Sequence, residues 1–357
     1  MSGEKRYLVL ENGRVFEGIG FGAPEDVSGE LVFTTGMTGY LETLTDPSYH
    51  GQIVVQTFPL IGNYGVIPAD FESVKPQPKA YIVRQWCQHP SNFRSEGDLD
   101  TFFMKCSLPA LCGIDTRELV KIIREHGVMN AKLVSSRERF DPSDLQGPLF
   151  EGAVAAVTPK AAFTERPQEV RHRVVLWDFG AKANIARELL RRGCEVTHVP
   201  AGAAAADILA LHPDGVVLSN GPGDPAENMG TVRELQKLCA HKLPMMGICL
   251  GHQLLALSQG AKTEKLKYGH RGANQPVKDL QSGRVYITSQ NHGYTVQNDT
   301  LPQGAKLWFC NANDGTCEGI AYEDIPAFSV QFHPEAASGP LDTGFLFDEF
   351  IKRLEAK

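Results

Sequence analysis

At 357 residues, 42% hydrophobic and 22% charged, the chain has the composition of a soluble globular protein of roughly two domains. Its net charge of −7 argues against the clustered basic surface that nucleic-acid binding needs. The apolar stretch nearest the start, Tyr7 to Leu10, stops at Glu11 and is too short for a signal-peptide core or a membrane span.

The first half opens on β signals. Tyr7–Glu11 and Arg14–Glu17 flank Asn12-Gly13, a two-residue hairpin signature. Glu30–Thr34 and Gln52–Thr57 also read as strands. Ile114 to His126 reads as a helix, with Asp115 as N-cap, Glu118 placed for a capping box and Gly127 as the stop. The expectation is a β-rich mixed domain over residues 1–168. Its last stretch, from Ser135 to about Gln168, is broken up by Pro142, Pro148, Pro159 and Pro167, and the boundary is placed near its end.

Strand and helix then alternate at short spacing. Arg173–Trp177, Glu195–Val199, Asp214–Leu218 and Pro244–Ile248 read as strands. Ala181–Arg192, Ala226–Ala240 and Gly251–Ser258 read as helices. This alternation predicts an α/β domain over residues 169–357: an open, mostly parallel sheet with helices on both faces. Beyond Gly260 come strand patterns at Val285–Thr288, Lys306–Asn311, Gly319–Tyr322 and Ala327–Gln331, then a helix over Gly344–Leu354.

Eight cysteines are present and none forms a CxxC pair, so neither a zinc site nor a dithiol redox pair is expected. Seven read as reduced, packed thiols, which suits the cytoplasm. The eighth is Cys249. Gly247-Ile248-Cys249-Leu250-Gly251 stands where a buried strand turns into a helix, a nucleophile elbow with Cys in place of Ser. The tight turn strains the backbone of the nucleophile, and its flanking positions must be small. The helix N-terminus favours negative charge at the sulfur, and the Leu250 N–H is placed to hold an oxyanion.

A thiol nucleophile needs a base, itself oriented by a carboxylate. Of 11 histidines, His333 in Gln331-Phe332-His333-Pro334-Glu335 is the best candidate, because it ends an apolar strand. Glu335, two residues on along an extended chain, falls on the same side and can orient the imidazole. Gly18-Ile19-Gly20-Phe21-Gly22 follows a hairpin strand and lacks GxGxxG spacing, and no GxxxxGK(S/T) occurs, so no ATP site is expected in this chain.

The elbow, the Gly251-His252-Gln253 helix start and the downstream His333-Pro334-Glu335 together resemble the class I (triad) glutamine amidotransferases. The resemblance makes Cys249 the nucleophile, His333 the base and Glu335 the orienting acid. It includes Ser219-Asn220-Gly221-Pro222-Gly223-Asp224-Pro225, a loop that lines the glutamine pocket in that family, with Gly221 implied as a second oxyanion donor and Gly223 beside it. In the first half, Thr35–Tyr40, Leu44–Tyr49 and Pro59–Gly65 resemble the small subunit of carbamoyl-phosphate synthetase, as do Gly269–Pro276 and Ser289–Tyr294 in the second. The family often has histidine where this chain has Arg271 and Gln275.

That resemblance implies that Ser48, Leu250, Gln253, Asn291, Gly293 and Tyr294 help to hold glutamine, Ser48 reaching in from the first domain. His292 is read as a positioning residue. It also implies a large-subunit partner that binds ATP, magnesium and bicarbonate, takes ammonia through a tunnel and makes carbamoyl phosphate for arginine and pyrimidine synthesis. Higher oligomers of that heterodimer are possible. No metal or organic cofactor is expected in this chain. The alternatives are the glutaminase component of another amidotransferase, such as anthranilate synthase, or an inactive scaffold of a synthetase.

Overall fold

Asn12-Gly13 does turn the chain into a hairpin, but with a longer loop than two residues. β1 (Lys5–Leu10) and β2 (Val15–Gly22) pair antiparallel with Val9 opposite Val15, and Gly13 takes a positive φ of 82° in the loop. The computed structural model describes residues 3–147, 149 and 151–356, so Pro148 lies outside them. The chain divides into two units, Met1–Glu151 and Gly152–Lys357.

In the first unit, β3 (Val27–Thr34), helix α1 (Tyr40–Thr45), β4 (Gln52–Gln56), β5 (Leu60–Ile61), β6 (Ala80–Ile82), β7 (Gln85–Trp86), helix α2 (Leu99–Lys105) and β8 (Pro109–Cys112) follow in order. Helix α3 (Thr116–His126) and β9 (Met129–Val134) complete it. Strands in the order β1-β2-β8-β6-β4-β3-β9 close into a barrel, while β5 pairs only with β7. Phe21, Val32, Val54 and Tyr81 pack with Leu41 and Leu44 of α1 and with Leu99 and Phe103 of α2. Asp115 caps helix α3 as expected, its carboxylate accepting the Glu118 N–H at 2.9 Å, but the Glu118 side chain pairs with Arg14 instead of closing a capping box; Gly127 ends the helix at φ 93°.

The second unit begins earlier than residue 169. Helix α4 (Ala153–Val157) and β10 (Phe163–Glu165) already belong to it, since β10 pairs antiparallel with β12 (Cys194–Pro200). Prolines make this stretch irregular without detaching it. Next to β12 lies β11 (His172–Asp178), followed by β13 (Gly215–Leu218) and β14 (Met245–Ile248). Beyond them come β15 (Thr263–Asp279), β16 (Val285–Val296), β17 (Ala305–Asn311), β18 (Cys317–Tyr322) and β19 (Ala327–Val330). The helices are α5 (Ala183–Arg191), α6 (Ala205–Ala210), α7 (Met229–Ala240), α8 (Leu250–Ser258) and α9 (Phe345–Glu355).

These strands form one open sheet in the order β10-β12-β11-β13-β14-β19-β18-β17-β15-β16. The middle, from β12 to β19, is parallel, whereas β10 and the arm β18-β17-β15-β16 pair antiparallel. The sheet, expected to be mostly parallel, is parallel at its centre and antiparallel on both sides. Alternate strand residues face opposite sides. Val175, Trp177 and Leu218 pack under α6, α7 and α8, while Val174, Leu176 and Val217 pack against α5 and α9. Both faces are thus covered, which is why the parallel strands read as continuous apolar runs. Among the described residues no helix is long and apolar enough to cross a membrane.

Candidate active site

Strand β14 runs directly into α8, and Cys249 sits at the bend with φ 52° and ψ −104°. A positive φ on a residue with a Cβ is strained, and the surroundings hold it in place. The Cys249 N–H donates to Val330 O at 2.9 Å, and the Gly251 N–H donates to Ser219 O at 3.0 Å. The flanking glycines are required sterically. A Cβ on Gly251 would lie 2.3 Å from Leu218 O, and one on Gly247 would lie 2.8 Å from Gly251 O. The thiol is buried and donates to Asn291 O at 3.8 Å.

The parallel pairing of β14 with β19 brings the second element to the elbow, because Ile248 lies opposite Val330. The chain continues through Gln331 and Phe332 to His333, whose N–H donates to Ser289 O at 2.9 Å. His333 Nδ1 lies 2.6 Å from Glu335 Oε1, with both side chains fully buried. Nε2 of the same ring is buried and has no hydrogen-bond partner. Burial and the Lys182 charge push the His333 pKa down, but the Glu335 charge, the Cys249 thiol and the bond to Glu335 outweigh them and lift it to about 9. The β14–β19 pairing sets Cys249 and His333 just beyond the ends of neighbouring strands. Burial opposes ionisation of Glu335, yet His333 and Lys182 hold its carboxyl below the usual range.

Lys182 was not picked out from the sequence. Its Nζ lies 3.7 Å from Glu335 Oε1, and its own N–H donates to Asn220 Oδ1 at 3.0 Å. It stands at the N-cap of α5, and a cation there opposes the helix dipole. That local disadvantage was the available signal. Asp178 builds the turn before it by accepting the N–H groups of Gly180 at 2.9 Å and Ala181 at 2.7 Å. The Asn184 side chain holds the Glu335 carbonyl.

The remaining candidates of the second unit gather around the elbow. A Cβ on Gly221 would come within 2.8 Å of Leu250 Cδ2 and 2.5 Å of Phe179 O, so Gly221 lies against Leu250. Gly223 adopts a positive φ of 89° in the same loop. The buried Gln253 side chain donates to Tyr294 O at 2.8 Å and to Gln331 Oε1 at 2.9 Å, which ties α8 to both walls. Asn291, Gly293 and Tyr294 lie on β16, with Asn291 opposite Arg271 and His292 opposite His270 on β15. The two sequence segments Gly269–Pro276 and Ser289–Tyr294 are thus paired strands of one ribbon. Gly269, at φ 71°, has no room for a side chain, since a Cβ would lie 2.3 Å from His292 O.

Two further histidines are removed from base chemistry. His252 is buried against Ser329 and Cys317, and burial pushes its pKa down to about 3. His292 is pushed well below the usual value by burial and by its cationic neighbours, and its ring nitrogens lie 2.8 Å from Tyr294 O and 3.1 Å from Gln290 Oε1, two acceptors of which the neutral ring donates to one. Ser48 belongs to the first unit, buried in the turn Pro47–Tyr49, where its N–H donates to Asp46 Oδ1 at 2.9 Å.

A buried thiol on a strained elbow, an imidazole pinned on one nitrogen and open on the other, and a carboxylate behind it can carry out acyl transfer. Residues 175–353 match the family Glutamine amidotransferase class-I, and residues 8–133 match Carbamoyl-phosphate synthase small chain, CPSase domain. Proteins similar to this chain include the carbamoyl phosphate synthase small chain of Bacillus cereus, 48% identical over 355 residues, spanning 98% of this chain and 96% of that protein. That of Symbiobacterium thermophilum is 48% identical over 352 residues, 96% of each. That of Clostridium perfringens is 49% identical over 350 residues, 98% of this chain and 99% of that protein.

Proposed function

The chain belongs to the family of carbamoyl-phosphate synthase small chains, and from that premise we propose that it is the glutaminase of a two-subunit synthase, with Cys249, His333 and Glu335 as its triad. The observation that carries the triad is the His333 ring, fixed at Nδ1 by Glu335 and unpartnered at Nε2 beside the Cys249 thiol.

His333 takes the Cys249 thiol proton and holds it, its pKa lifted to about 9, so the sulfur attacks beside an imidazolium. The Cys249 sulfur adds to the side-chain amide carbon of glutamine. The N–H groups of Leu250 and Gly221 receive the oxyanion, each such donor typically contributing about 10²–10³ in rate. His333 gives its proton to the departing nitrogen and ammonia leaves. Water, losing a proton to His333, then adds to the thioester, and glutamate departs as the thiolate reforms. Glu335 keeps the ring oriented and its charged form stable. Gly223, Gln253, Asn291, Gly293 and Tyr294 shape the substrate pocket. The share of Ser48 in it rests on the family resemblance.

These steps use no metal or organic cofactor. Ammonia freed into neutral water is protonated and loses its nucleophilicity, so a glutaminase that lacks an acceptor site implies a partner. That partner is a large subunit, which supplies the sites for ATP, magnesium and bicarbonate and turns the ammonia into carbamoyl phosphate. The setting is the cytoplasm, where eight unpaired cysteines stay reduced. The product feeds arginine and pyrimidine synthesis.

In the complex, Cys249→Ser abolishes glutamine-dependent carbamoyl phosphate formation and leaves ammonia-dependent formation intact. Loss of both activities would mean that Cys249 is structural. An unchanged glutamine rate would identify the chain as a scaffold without its own chemistry.

A further inference from the structure

Glu318 is a fully buried carboxylate outside the triad. It sits on β18, and its environment is built for an acceptor. Gln290 Nε2 donates to Oε2 at 2.9 Å, Asn311 Nδ2 donates to Oε1 at 3.1 Å, and His270 Nδ1 lies 3.5 Å from Oε1. His270 is itself held from its other side by Asp314, at 2.8 Å from Nε2. A buried carboxylate with a partner for each oxygen is costly to assemble, and nothing in the proposed chemistry uses it directly.

Its neighbours show what it supports. Because Glu318 accepts the Gln290 N–H, the Gln290 amide is fixed with its oxygen toward His292 Nε2, 3.1 Å away. The other His292 nitrogen meets Tyr294 O at 2.8 Å, the same carbonyl that Gln253 of α8 holds. Between them lie Asn291, whose carbonyl accepts the Cys249 thiol, and Gly293. The backbone of Glu318 reaches the opposite wall: its carbonyl accepts the Gln331 N–H at 2.9 Å, two residues before His333.

We propose that Glu318 is a positioning residue for glutamine, which sets the Gln290–Tyr294 segment against Cys249 through the amide of Gln290. This rests on the glutaminase reading above. His270, His292 and Glu318 also bring one ligating atom each within 4.8 Å of one another. Gln290 and Asn311 hold the Glu318 oxygens and Asp314 holds His270 Nε2, while His270 Nδ1, 3.5 Å from Glu318 Oε1, has no hydrogen-bond partner, so the cluster acts here as an ion-paired support for the ribbon. Burial raises the Glu318 carboxyl pKa and His270, Asn311 and Gln290 draw it back, as expected of a charge kept buried by its partners.

The test uses the full chain in complex with the large subunit and three variants: Glu318→Leu, Glu318→Gln and Gln290→Leu. Leu at either position severs the link, so KM for glutamine rises about tenfold or more with a smaller change in kcat, the signature of lost substrate positioning. Glu318→Gln still offers a carbonyl to Gln290 and stays within about threefold of the parent. The rate of Cys249 alkylation by iodoacetamide, which reads the thiol without the glutamine pocket, stays the same in all three. KM unchanged in both Leu variants overturns the proposal, as does a parallel loss of glutamine binding and alkylation, which marks general collapse. A stoichiometric divalent metal in the purified chain, lost with Glu318→Leu, also overturns it. If Glu318→Leu does not fold, Gln290→Leu decides alone. Should the parent complex itself fail to hydrolyse glutamine, the glutaminase reading falls instead, and that outcome is visible before any variant is made.

Discussion

At the scale of single residues, the proton on His333 decides how the site works. An imidazole lifted from 6.5 to about 9 binds its proton more tightly in the folded chain than in the unfolded one. The stability it lends is therefore complete below about 6.5 and fades as the pH rises through about 9. Catalysis follows the same limb, because a deprotonated ring has no proton to give the leaving ammonia. Glutamine kcat/KM should fall on the alkaline side near pH 9. Glu335→Gln removes a charge that raises the ring and leaves burial and Lys182 acting downward, so the limb moves toward neutrality. A limb that stays in place in that variant would show that another group titrates there. Cys249, His333 and Glu335 could be nominated from the sequence because each belongs to a short pattern with its own mechanical reason. Lys182 was not, since its partner Glu335 lies far away in the chain and only its place at a helix start hinted at a role.

At the scale of elements, the reaction depends on one joint, where β14 becomes α8. Backbone atoms rather than flexible side chains surround the joint, so it cannot yield. A methyl group on Gly251 meets Leu218 O at 2.3 Å and Leu218 C at 2.6 Å, both main-chain atoms. Gly251→Ala must push α8 away from β13 and carry the Leu250 N–H with it. Displacement of reacting groups by about 1 Å costs about 10²-fold in rate, so glutamine kcat should drop by at least that factor while ammonia-dependent turnover stays level. A variant with parental kcat would mean that the elbow has slack that the backbone contacts deny. The strands that build this joint were legible because they are short, apolar and covered on both faces. Of the ribbon opposite, Val285–Thr288 at the start of β16 was legible and β15 was not. β15 carries Glu264, Lys265 and Lys267, and its pairing with β16 is broken by register shifts between Lys265 and His270 and between Gly272 and Gln275. Charged residues on an exposed arm and two irregularities erase the period of two that marks a strand. Helix α6 was missed for a different reason: it is only Ala205–Ala210, too short to establish a helical period.

At the scale of the whole molecule, each unit owns its core. Phe21, Tyr81 and Phe103 pack within the first, and the clusters on the two faces of the open sheet draw only on residues of the second. Two families match on either side of the division, at residues 8–133 and 175–353, and neither reaches the stretch between them. The sequence reading placed that stretch at the end of the first domain, yet three features bind its later part to the sheet of the second. Val154 of α4 is buried in the core. Thr158 Oγ1 donates to Asp178 O at 2.7 Å and accepts the Ala201 N–H at 2.8 Å. His198 is clasped between Glu165 at 3.0 Å and Asp178 at 3.1 Å, with Phe163 stacked on its ring at 4.2 Å. Asp178 is also the residue that shapes the turn before Lys182, so this edge supports the site as well as the fold. A fragment starting at residue 152 keeps all of these contacts, and one starting at 169 keeps only the bond between His198 and Asp178. Burying one aliphatic side chain is worth about 1.5–3 kcal/mol, and about 1 kcal/mol moves the melting point of a domain this size by about 2–4 °C. The shorter fragment should therefore unfold at least about 3 °C lower by thermal circular dichroism. Equal melting points would mean that α4 and β10 lie on the sheet without stabilising it, and the division of the chain would then belong near 168 after all.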